Sequence, residues 1–89
     1  MTHALKLLVV DDERNMRRSL TTVLNNRGYE VESVESAEQG LETAADGSHF
    51  MAITDARLDG MSGYEFLKEM RSRWPEIPVL MITAYATPK

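Results

Sequence analysis

The stretch LKLLVVDDE, residues 5–13, decides the fold. Its apolar residues form a nearly continuous run instead of alternating with polar ones, the pattern of a strand covered on both faces in a parallel sheet. The run then stops on three consecutive acids, Asp11, Asp12 and Glu13. VLMIT, residues 79–83, repeats the apolar run, and HFMAIT, residues 49–54, is a weaker version followed by another acid, Asp55. YEVESV, residues 29–34, opens with apolar and acidic residues in alternation, as an edge strand with one wet face does.

The intervals between these runs carry helical spacing. Met16, Leu20, Val23 and Leu24 fall at i, i+4, i+7 and i+8, with Gly28 as a C-terminal stop, so a first helix covers one face of the sheet. Ser36 and Gln39 make a capping box ahead of Ala37, Leu41, Ala44 and Ala45, and Gly47 follows; this second helix is built of small residues and packs closely. A third helix starts at another box, Ser62 with Glu65, where Met61 staples Phe66. It runs through Leu67, Met70 and Trp74 to a stop at Pro75. Strands and helices in strict alternation predict an α/β fold, a doubly wound parallel sheet with right-handed crossovers and helices on both faces.

At 89 residues the chain is one domain, 1–89, with 43% apolar and 27% charged residues, an ordinary globular composition. It has no cysteine, which excludes a disulfide framework and a thiolate metal site and agrees with a reducing, cytoplasmic setting. The apolar run near the start is too short for a signal peptide, and no segment approaches a membrane span. The net charge is −4 with arginines scattered among acids, so the basic footprint of a nucleic-acid binder is absent.

In doubly wound sheets the functional groups gather beyond the carboxyl ends of the strands. The first strand ends in Asp11 and Asp12, the third in Asp55 and the fourth in Thr83. Singly, each has an ordinary reading: Asp11 or Asp12 as a helix cap, Asp55 as the start of a loop, Thr83 as a β-branched strand residue. If strands one, three and four are neighbours, however, three carboxylates and a hydroxyl converge on one crevice. Carboxylates that close repel unless protons or a cation neutralise them. Oxygen ligands without histidine or cysteine suit a hard ion, Mg²⁺, better than zinc.

The segments LLVVDDE, ITDARLDGMSGYEFL and IPVLMITAY resemble, in order and spacing, those of response-regulator receiver domains, particularly the receivers of enhancer-binding transcription regulators. The resemblance covers nearly the whole chain. It implies a flavodoxin-like sheet of strand order 2-1-3-4, with Asp55 as the phosphoacceptor that takes a phosphoryl group from a sensor histidine kinase. It also implies Mg²⁺ bound directly by Asp12, Asp55 and the backbone carbonyl of Arg57, with Asp11 acting largely through the ion's waters. Thr83 would donate its hydroxyl, and Ala84 its amide, to the phosphoryl oxygens.

Two departures stand out against that pattern. Asp59 occupies the position, four residues after the phosphoacceptor, where the family usually has proline. Only AYATPK follows Thr83, which leaves out the family's fifth strand with its lysine and aromatic, its fifth helix and most of its fourth; Lys89 does not take that lysine's place. A sheet ending at strand four is expected to associate with a second copy through that strand and an uncovered face beside the first helix. Two other functions compete. A phosphatase with an aspartyl-phosphate intermediate would need two aspartates spaced two apart at the first strand, and Glu13 follows Asp12 instead. A non-phosphorylatable dimerisation module derived from a receiver would need only the surface.

Overall fold

The computed structural model describes residues 4–82. Strands β1 (Lys6–Val10), β2 (Glu30–Val34), β3 (Met51–Asp55) and β4 (Val79–Ile82) alternate with helices α1 (Arg14–Asn26), α2 (Ala37–Ala44) and α3 (Gly63–Arg73). The strands form one parallel sheet in the order β2-β1-β3-β4, so β1 and β3 lie side by side at its centre. This is the expected doubly wound, flavodoxin-like arrangement.

The pleat sorts the strand residues onto two faces. Leu8, Val10 and Ala52 point to the face covered by α2 and α3, where they join Leu41, Phe66, Met70 and Ile77 in the main apolar cluster. The second helix sits very close to the sheet there. A Cβ on Gly40 would lie 2.8 Å from the Phe66 ring and 2.9 Å from Val10, so glycine is what this close approach requires, and Ala37 and Ala44 are buried beside it. Ala45, expected on that buried face, is instead the exposed C-cap residue.

Leu7, Val9 and Ile53 point to the opposite face, where α1 packs against β1 and β2. Their exposure is 3%, 0% and 7%, which corrects the expectation that strands one and three are uncovered on this side. The exposed apolar surface lies further out. No α1 residue is fully buried, Val23 is 54% exposed, and Leu80 of β4, the register partner of Ile53, is 48% exposed. The run at residues 79–82 therefore does not mark a strand covered on both faces, because α1 packs chiefly against β1 and β2 and does not extend over this face of β4.

Two helix starts differ in detail from their sequence pattern. At α3 the box is complete: Glu65 N–H donates to Ser62 Oγ, and Ser62 N–H donates to Glu65 Oε1 at 2.9 Å. At α2 the Gln39 N–H donates to Ser36 Oγ, but Gln39 Oε1 accepts from Glu35 N–H, one residue before the N-cap. The third strand starts at Met51, two residues into its apolar run, and His49 precedes it. Its ring is buried at the amino end of the sheet, with Nε2 3.0 Å from Glu32 Oε1.

Candidate functional site

Because Val10 pairs with Thr54, the residues that follow them, Asp11 and Asp55, emerge side by side at the carboxyl end of the sheet. Asp11 is fixed by its backbone. Its N–H donates to Val34 O at 3.1 Å, extending the β1–β2 ladder, and its carbonyl accepts from Arg17 Nη1 at 2.7 Å. The Asp11 carboxylate is turned inward, 3% exposed, with Oδ1 accepting from Glu13 N–H at 2.9 Å. It thus braces the start of α1 without being its N-cap, which is Glu13. Asp55, still within the β3–β4 ladder opposite Ile82, accepts from Arg57 N–H at 3.2 Å through Oδ1. Asp12 is exposed and accepts from Asp59 N–H at 3.1 Å through Oδ2.

Asp11, Asp12 and Asp55 each bring one carboxylate oxygen to within 4.8 Å of the others. Burial raises the Asp11 pKa above its ordinary value; the Glu13 N–H opposes this, and the charges of Asp55, Asp12 and Glu13 reinforce the rise. Asp11 is thus a carboxylate whose charge a cation would help to neutralise, and the donors of all three acids are hard oxygens. Asp12 and Asp55 border a cleft of about 650 Å³ that Glu13, Met16, Arg57, Leu58 and Asp59 also line, with room for the waters Mg²⁺ retains. The arrangement fits that ion.

One residue of the site, Gly63, carries no reading in the sequence analysis. Gly63 stands at the first position of α3 with its N–H donating to Ala56 O, and a Cβ there would run into the Asp55 carbonyl oxygen. Only glycine lets α3 start against the back of the Asp55 peptide; a glycine directly after the cap Ser62 was the available signal. Asp59 was noticed for replacing a proline, but its backbone contact with Asp12 depends on tertiary approach. Thr83 and Ala84 lie outside the described residues.

The model of the family described as the response regulator receiver domain matches residues 7–89. The chain belongs to that family. It is 40% identical over 80 residues to the two-component response regulator PhoP of Pseudomonas aeruginosa, covering 90% of this chain and 36% of that protein. It is 38% identical over 86 residues to the regulatory protein AtoC of Escherichia coli, covering 97% of this chain and 19% of the relative, in line with the transcription-regulator resemblance. The receiver thus spans about a third or less of the length of these two relatives. Among solved structures it is similar to the response regulator TrrA of Thermotoga maritima in complex with Mg²⁺ and BeF. The TM-score is 0.88 at 34% identity, over 92% of this chain and 71% of that one. A second structure holds TrrA in complex with the histidine kinase ThkA; it matches with a TM-score of 0.87 at 33% identity, over 96% of this receiver and 73% of that chain.

Proposed function

We propose that this receiver accepts a phosphoryl group on Asp55 from the phosphohistidine of a sensor histidine kinase, with Mg²⁺ at the acidic cluster. The observation that carries the reading is the convergence of Asp11, Asp12 and Asp55 at the ends of two adjacent central strands. In the reaction a bond forms between an Asp55 carboxylate oxygen and phosphorus as the bond from phosphorus to the imidazole nitrogen breaks, and the imidazole leaves with a proton. Phosphoryl transfer depends on positioning and on neutralising oxygen charge more than on covalent assistance. The Arg57 N–H holds Asp55 Oδ1, which leaves Oδ2 as the attacking atom, and the β3–β4 ladder and Gly63 fix the peptide behind it.

Asp12, Asp55 and the Arg57 carbonyl would hold Mg²⁺ directly and Asp11 through its waters; the ion supplies the positive charge that draws phosphoryl oxygens to the site. Thr83 and Ala84 would donate to those oxygens. The TrrA complexes support both the cation and the kinase, because those partners are found with a receiver of the same fold. We place the protein in the cytoplasm, with no direct contact with nucleic acid; no described helix is long and apolar enough to cross a membrane. A second copy is proposed to associate along β4, where Leu80 is half exposed.

The test is incubation with Mg²⁺ and acetyl phosphate followed by intact mass. The expected result is a gain of one phosphate that Asp55→Asn abolishes while its melting curve stays cooperative. Phosphate on the Asp55→Asn variant would refute the assignment.

A further inference from the structure

The loop between β3 and α3 reaches across the acidic cleft to the β1 side, where Asp59 N–H donates to Asp12 Oδ2 at 3.1 Å. Gly60, at φ +75°, turns the chain immediately afterwards, and its Cα side faces Glu38 of α2, whose Oε2 would lie 3.4 Å from a Cβ. The loop is therefore seated between the start of α1 and the start of α2, with the Asp59 amide aimed at the exposed carboxylate of the cluster. Asp12 already brings one oxygen to within 4.8 Å of the other two acids, and a divalent cation held among them draws on the same carboxylate charge that the Asp59 N–H uses. We propose that the Asp59 N–H is a latch on Asp12 that opens when a divalent cation takes this carboxylate, so that residue 59 sets the cation concentration at which the site fills. A proline in this position has no N–H and forms no latch, so the device belongs to this chain's own residue. The inference rests on the cation reading of the site but not on phosphorylation of Asp55.

Asp59→Ala and Asp59→Pro separate the latch from the charge, because both remove the Asp59 carboxylate and only proline removes the N–H. With folding of each checked by a thermal melt, Mg²⁺ is titrated while the amide signals of residues 11–13 and 55–58 are followed. The proline variant is expected to bind Mg²⁺ roughly three- to tenfold more tightly than the alanine variant, the factor that one net hydrogen bond represents. Equal or weaker binding by the proline variant overturns the proposal. A second measurement needs no substitution: in the unmodified protein the Asp59 amide exchanges slowly with deuterium without Mg²⁺ and faster at saturation. Unchanged or stronger protection at saturation also overturns it. If the two variants differ as expected and yet the protein takes no phosphate from acetyl phosphate, the latch stands and the phosphoacceptor reading fails. Phosphorylation at Asp55 with no difference between the variants has the opposite meaning.

Discussion

At the scale of single residues, the site is organised around a carboxylate the protein would be more stable without. Asp11 is buried among Asp12, Glu13 and Asp55, and its pKa is raised from the ordinary 3.8, mainly by burial. The folded chain therefore holds a proton there more readily than the unfolded chain. The sign follows: Asp11 contributes stability below about the ordinary carboxylate pKa, and that contribution is lost as pH rises through its raised value. In metal-free buffer at neutral pH, Asp11→Asn is expected to raise the urea midpoint, since asparagine keeps the oxygen that accepts from Glu13 and drops the charge. The advantage should shrink as the buffer is taken toward about pH 4. Added Mg²⁺ should raise the midpoint of the unmodified protein more than that of the variant, because it binds the native acid cluster. A variant less stable than its parent at neutral pH would contradict this account of Asp11.

At the scale of elements, helix α2 shows a local rule overruled by packing. Replacing glycine by alanine inside an exposed helix stabilises it by about 1 kcal/mol. Gly40 faces the Phe66 ring and Val10, both fully buried, and a Cβ would press on them at 2.8 and 2.9 Å. Gly40→Ala is therefore expected to destabilise the domain, by about 1 to 3 kcal/mol of overpacking less the helix gain; a rise in the urea midpoint would show that the contact relaxes freely. Helix α3 behaves as its sequence reads. Its two-way capping box satisfies backbone donors on both sides of Ser62, so Ser62→Ala should cost about 1 kcal/mol. Denaturation curves of the two variants check both expectations. The differing outcomes at Ser36 and Ser62 were not legible, because Gln39 and Glu65 both offer an acceptor oxygen at the same spacing from the serine. The Gln39 side chain takes Glu35 N–H only because the incoming chain at residue 35 lies within its reach.

At the scale of the whole molecule, the described sheet leaves β4 with a neighbour on one side only, and its central apolar residue, Leu80, is half exposed. A strand in that position offers unpaired backbone groups along an apolar edge. A second copy pairing there makes folding and assembly share one equilibrium, so the melting temperature is expected to rise with protein concentration. Analytical ultracentrifugation over a dilution series should show the dimer, and Leu80→Lys should shift the distribution toward monomer. A monomer at every concentration, with a melt that does not move, would remove the proposal. The buried Leu7, Val9 and Ile53 confine this surface to β4, because the centre of the α1 side of the sheet is already covered.

What could be read without the structure was whatever a local rule controls. Apolar runs such as residues 5–10 announce buried parallel strands because both faces must be apolar, and Ser62 with Glu65 announces a helix start because the box closes within four residues. The acids at the strand ends were legible as a site because a doubly wound sheet brings the ends of its central strands together. The tertiary structure decided everything that depends on approach between distant segments. It buried Asp11 while leaving Asp12 exposed, although the two are adjacent and identical in type. It set Asp59 against Asp12 and Gly63 against Asp55, contacts whose partners no periodicity relates. It also left Leu80 half exposed in a run as apolar as that of β1. An apolar run records what a strand can bury, whereas the position of the strand in the sheet determines what is there to cover it.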